Sequence, residues 1–159
     1  MLKRGLGSCF VLLLVVALVA PAAASAKKKI YHLAGTVEGG GTMAFDAVVK
    51  KKKGKKAVPK RVANFDFDKL PITCDSGSFT FSASSGTDRP PFPVQGGLFS
   101  FEFLNSPTSV AGKLTKKGKQ ATGQFERSPA PLDGETNCFT PELNWSAQKT
   151  GTHQTLPRL

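Results

Sequence analysis

From Ile30 onward, apolar residues recur at alternate positions in short runs, and each run is broken by glycine, proline or charge. A period of two puts successive side chains on opposite faces of an extended strand. Met43, Phe45, Ala47 and Val49 share one face of a segment at 42–49. Phe65 and Phe67 alternate with Asp66 and Asp68 near the end of a segment at 58–68, which continues through 70–74. Phe79 and Phe81 share a face in 78–83, as do Phe99, Phe101 and Phe103 in 98–104. Segments 30–37, 108–115, 121–127 and 143–149 complete the predicted strands. No run has capped, amphipathic helical spacing. Strand following strand at short intervals predicts an all-β fold, a β-sandwich or barrel of about eight strands.

The breaks between runs are as informative. Glu38-Gly39-Gly40-Gly41 ends the first strand; it lacks the helix and lysine of a phosphate-binding loop, so its glycines serve a turn. Residues 50–56 are all lysine except for Gly54, a run that resists burial and predicts a solvated hairpin tip. Pro59 predicts an edge position or an irregular start for the next strand. Residues 84–97, with Pro90, Pro91 and Pro93, read as a connector, and 128–136, with Pro129 and Pro131, as a loop. A polar, flexible tail is expected over 150–159.

The chain also repeats itself. Lys52-Lys53-Gly54-Lys55, Ala57, Cys74, Phe81, Ser82 and Ala83 recur as Lys116-Lys117-Gly118-Lys119, Ala121, Cys138, Trp145, Ser146 and Ala147, all at one constant step. This predicts two duplicated four-stranded halves, about 30–83 and 98–149, each too small to bury its apolar face alone.

Residues 1–26 carry a different message. Lys3 and Arg4 precede an apolar run from Phe10 to Val19, and Ala24-Ser25-Ala26 forms a small-residue cleavage site. This predicts a cleaved secretory signal peptide. The apolar run is too short for a comfortable membrane span, so no transmembrane segment is expected after cleavage. Cys9 precedes the apolar run, where a lipidated cysteine would follow it. The expected mature protein is secreted or cell-surface associated, with one domain over 27–149. Its two cysteines, Cys74 and Cys138, predict an intramolecular disulfide. The immunoglobulin signature is missing: the sole tryptophan, Trp145, follows the second cysteine, and Thr136 stands two residues before it.

Charge narrows the functional classes. The formal charge is +11, and losing Lys3 and Arg4 leaves it strongly positive. Lysine dominates; beyond the leader the arginines are Arg61, Arg89, Arg127 and Arg158. Lysine is a hydrated point charge suited to diffuse attraction, whereas arginine supplies the rigid fork that reads phosphate or carboxylate. Lys50, Lys51, Lys52, Lys53, Lys55, Lys56, Lys116, Lys117 and Lys119 are therefore the candidate binding residues. The expected partner is an anionic cell-envelope polymer or acidic polysaccharide. The same lysines also suit solubility and protection of strand edges. Specific nucleic-acid binding is disfavoured, because that task adds arginines and exposed aromatics.

Other chemistries are weaker. His32 and His153 have no metal partner at a recognised spacing, and no serine lies in a nucleophile elbow. Asp66, Asp68 and Asp75 lack the spacing of a calcium loop and read as a solvated face. Neither enzyme activity nor a metal or cofactor is expected. An alternative is a carbohydrate-binding module using Tyr31 or Trp145 as an exposed aromatic platform, although the alignment of Trp145 with Phe81 favours a core role.

Gly112-Lys113-Leu114, Ala121-Thr122-Gly123-Gln124-Phe125, Cys138 and Trp145-Ser146-Ala147-Gln148-Lys149 together resemble a group of small exported β-rich proteins of actinobacterial type. Those proteins close with a similar Gly-x-Phe, Cys, Trp-x-Ala series. The resemblance covers the second half and implies export, an all-β fold and a structural cysteine. It brings no function with it.

Overall fold

The computed structural model describes residues 27–51, 54–86, 90–104, 106–115 and 117–153. The leader with Cys9, the tip residues Lys52, Lys53 and Lys116, and residues 154–159 lie outside them. The described residues form nine strands and no helix: β1 (Lys27–Val37), β2 (Thr42–Lys51), β3 (Val58–Cys74), β4 (Gly77–Ser84), β5 (Phe92–Pro93), β6 (Leu98–Glu102), β7 (Thr108–Leu114), β8 (Gln120–Leu132) and β9 (Glu135–His153). Every pairing is antiparallel, in the order β4-β3-β2-β1-β9-β8-β7-β6. Two four-stranded meanders thus join along β1 and β9. The long β3 then reaches back to β9, pairing Thr73 with Phe139 and completing a ring of hydrogen-bonded strands. Beside that contact the Cys74–Cys138 disulfide links residues 64 apart in sequence.

The alternating pattern explains the core between the meanders. Phe45, Phe65 and Phe67 are fully buried from the first, and meet Phe99, Phe101, Phe125 and Trp145 from the second. Phe65 lies 4.8 Å from Phe101 and Phe67 lies 4.9 Å from Phe125, measured between ring centroids. Each such side chain contributes about 1.5–3 kcal/mol on burial, so the phenylalanine ladder is the main hold between the halves. One break in the period makes it work. Asn64, at φ 53°, is an extra residue where the β2–β3 register shifts, and it lets Val62 and Phe65 both point inward.

Trp145 fills a slot made for it. Gly112 and Gly123 are directly paired on β7 and β8, and a Cβ on either would stand under 3 Å from the indole ring. The ring is 3% exposed and packs edge-on to Phe45.

Three expectations change, and one open alternative is decided. The predicted loop at 128–136 is mostly strand: β8 runs to Leu132 and turns at Asp133 and Gly134. Register shifts along this stretch accommodate Pro129 and Pro131, which have no N–H for a regular ladder. Pro59 sits beside another register shift, at Val49, and is an irregular start to an interior strand. Residues 150–153 are strand and not tail: Thr152 and His153 pair with Tyr31 and Ile30. Finally, Gly54 and Gly118 keep the repeat's step with matching φ of 72° and 66°, but the following hairpins turn at different relative places. Cys74 therefore ends β3, whereas Cys138 lies past the turn in β9.

Candidate functional site

The meanders decide where the lysines go. β1, β3 and β8 begin at the end of the molecule where β2, β7 and β9 finish. Lys28 and Lys29, Lys50 and Lys51, Lys55 and Lys56, Lys117 and Lys119, and Lys149 all arrive there from separate segments. The opposite end collects Glu38, Asp68, Asp75, Asp133 and Glu135 at its turns and strand ends, with Asp66, Glu102, Glu126 and Glu142 in the same half. Among the described residues, Asp46 is the one carboxylate outside that half.

The two lysine turns meet. Gly118 is buried, and a Cβ there would stand 2.8 Å from Val49 Cγ1, 3.7 Å from Pro59 Cβ and 3.8 Å from Tyr31 Cδ2. The second turn is therefore seated on the base of the first hairpin, at a position where φ of 66° and lack of space both select glycine. Its backbone is closed by Gly118 N–H donating to Thr115 C=O at 2.8 Å, and tied to β9 by Lys149 N–H donating to Lys119 C=O at 2.8 Å. Gly54 faces open space.

Between the turns lies an open recess of about 500 Å3, lined by Tyr31, Lys51, Lys55, Lys56, Lys117 and Lys119 with Gly54 and Ala57. A second, larger one of about 770 Å3 shares Lys56, Lys117 and Lys119 and extends to Gln148 and Lys149. Lys149 Nζ stands 5.0 Å from the centroid of the Tyr31 ring. Among the described residues none of these lysines stands within 4 Å of a carboxylate oxygen; the basic side chain that does is His32, beside Asp46. Neither recess is lined by a carboxylate, histidine, serine or cysteine; ammonium groups dominate both. The arrangement can attract and hold negative charge.

Lys50, Lys51, Lys55, Lys56, Lys117 and Lys119 are all exposed and stand at this one end. Lys52, Lys53 and Lys116 belong to the same two turns in sequence and lie outside the described residues. Trp145 is not at the surface, and Tyr31 is half-buried with Lys149 over it, so neither offers the open aromatic face of a sugar platform. Asp66 and Asp68 are exposed on one face of β3, and Asp68 accepts from Ser82 Oγ at 2.7 Å. Asp75 accepts from Thr136 Oγ1 at 2.9 Å and Asn137 Nδ2 at 2.8 Å, securing the hairpin beside the disulfide. The three do not converge. Among the described residues no group of three or more His, Cys, Asp or Glu is placed to hold a metal ion.

One polar cluster escaped sequence reasoning. Asp46 is 2% exposed; its carboxylate stands 3.1 Å from His32 Nδ1 and accepts from Asn64 Nδ2 at 2.8 Å. The β1–β2 register, centred on Gly39, sets His32 opposite Asp46 and was the available signal. A second buried ion is Arg127, which donates to Ser106 Oγ, Thr108 Oγ1 and the Pro131 carbonyl. Burial holds its guanidinium below the usual value, with Asp133 opposing the shift.

Comparison with known proteins found no match to a family model, a curated protein or a solved structure. The disulfide is compatible with an extracellular protein. Among the described residues no helix is long and apolar enough to cross a membrane.

Proposed function

We propose that this is an exported, non-enzymatic protein that binds an anionic cell-envelope polymer or acidic polysaccharide through its lysine-rich end. The observation that carries the reading is the seating of the Gly118 turn against Val49, Pro59 and Tyr31, which joins two separate lysine turns into one surface. A polymer bearing repeated charges meets many lysines at once there, and each contact adds to the next. Lysine suits such a partner because it imposes no fixed geometry on the anion. The carboxylates at the other end leave the basic field undiluted.

Retention of the disulfide-intact 27–159 chain on immobilised acidic polysaccharide, polyphosphate and neutral glycan, across a salt series, tests the reading. Binding to the anionic supports should weaken steeply with salt, since charges are screened beyond about 8 Å at physiological ionic strength. A variant with Lys55, Lys56, Lys117 and Lys119 changed to serine should lose most of it. Salt-insensitive binding to neutral glycan, or full retention by the variant, would overturn the proposal.

A further inference from the structure

The first meander ends in an uncovered strand. β4 pairs with β3 on one side, and among the described residues no strand pairs with its other side. Its eight residues, Gly-Ser-Phe-Thr-Phe-Ser-Ala-Ser, contain no charge and no proline. Exposed edges are ordinarily blunted by lysine, proline, a bulge or shortness. The opposite edge, β6, has five residues, ends at Glu102 and is flanked by the Gln95–Leu98 bridge. β4 itself has no lysine, proline or extra residue. The register shift in this pair lies on β3, between Phe67 and Leu70, and carries Lys69, while the lysine turns stand at the other end of the molecule.

The register shows which groups are available. Cys74 and Gly77 flank a two-residue turn, and such a flanking pair is hydrogen-bonded. Alternation then makes Ile72–Phe79 and Leu70–Phe81 hydrogen-bonded pairs, and Pro71–Thr80 the kind that is not. Pro71, having no N–H, agrees with that assignment. Ser78, Thr80 and, by alternation, Ser82 therefore direct their N–H and C=O groups away from β3, along the free edge. On the inner side, Phe79 is 47% exposed beside a recess of about 250 Å3 lined by Ile72, Cys74, Phe81 and Leu132 together with Asp133 and Glu135.

We infer that β4 is a strand-addition site whose occupant is β4 of a second copy of this chain. The strand is its own complement. An antiparallel pair with Thr80 opposite Thr80 on the two-fold axis matches the outward N–H and C=O groups of Ser78, Thr80 and Ser82. It also sets Phe79 across from Phe81 of the second copy, in the closer type of cross-strand pair, with both rings against the recess. The hydroxyl side chains stay on the solvent face. The segment Ser78-Phe79-Thr80-Phe81-Ser82 reads the same in both directions and is uncharged, which suits a second copy. The antiparallel direction sends the two lysine-rich ends to opposite poles and sets the two carboxylate-bearing halves side by side, so added salt should tighten the pair. The inference does not depend on what the lysines bind.

Sedimentation equilibrium of the disulfide-intact 27–159 chain over a wide concentration range tests it. A monomer–dimer equilibrium is expected. Thr80→Lys, which adds a like charge on each side of the axis, should raise the dimer Kd at least about tenfold. Thr80→Pro removes the central outward N–H without touching a β3 hydrogen bond and should do the same; Thr80→Lys carries the test alone if the proline variant fails to fold by circular dichroism. A chain that stays monomeric throughout overturns the inference and leaves the edge to an extended segment of another protein. A dimer with unchanged Kd in Thr80→Lys overturns it too.

Discussion

The two ends of the molecule use their charges in opposite ways. At the acidic end, carboxylates are employed as acceptors: Asp75 holds Thr136 and Asn137, Glu38 holds Asn144, and Ser76 donates to Glu135. A disulfide and the buried Arg127 complete the clamp. At the basic end the turns are closed by backbone hydrogen bonds and by a glycine seat, with the lysine ammonium groups left over. A charge engaged in holding a hairpin together is not available to a partner; an unengaged one is. The acidic end is construction, and the basic end is surface.

The largest expected effect lies on the construction side. Replacing Cys74 and Cys138 together by serine opens a loop of 64 residues and should cost about 4 kcal/mol, read from denaturant midpoints. Polymer retention by the fraction still folded should be unchanged. If retention falls as fast as stability, the two ends are not separable in the way proposed. Next comes Arg127→Met, which leaves Ser106, Thr108 and the Pro131 carbonyl short of a donor. About 1–3 kcal/mol should be lost, again without change in retention.

Gly118→Ala works from the other side. A residue with a Cβ is strained at φ 66°, and that Cβ meets Val49 at 2.8 Å, so the second turn must lift from the first hairpin. The stability cost should be about 1–2 kcal/mol. No charge changes, yet retention on acidic polysaccharide should drop, because the two lysine turns no longer form one surface. Retention equal to that of the parent chain would mean that convergence is irrelevant and lysine number is enough.

Much of this was readable from local pattern. Alternation identified the strands, their inward phenylalanines and the outward Asp66 and Asp68, since period two needs no knowledge of the partner strand. The disulfide followed from cysteine number and the expected compartment. What local pattern misses is what depends on pairing. β4 and the second half of β9 look alike in sequence, each with an aromatic-Ser-Ala motif, but β9 is flanked by β8 and β1 while β4 has only β3. That is why Trp145 and Leu143 are buried while their counterparts Phe81 and Phe79 are half-buried and exposed. Proline misled at Pro129 and Pro131, where register shifts, invisible in the sequence, keep β8 going. The meeting of the lysine turns and the gathering of carboxylates at the opposite end also follow from strand direction alone, and no single segment announces them.

The smallest predicted effect separates a local surface from a global charge. Asp66→Ser with Asp68→Ser raises the net charge by two without altering the basic end. Both side chains are exposed, so stability should move by no more than about 0.5 kcal/mol. If the whole molecule's charge drew the polymer, retention would strengthen. If the surface around Lys56, Lys117 and Lys119 does the work, charges on the other half of β3 lie beyond a screening length of about 8 Å and retention should stay the same. Lowering the salt lengthens that screening distance, so the variant should overtake the parent only at low ionic strength. Parallel salt titrations of the two chains would show the crossover, and a variant superior at every salt concentration would argue for global charge.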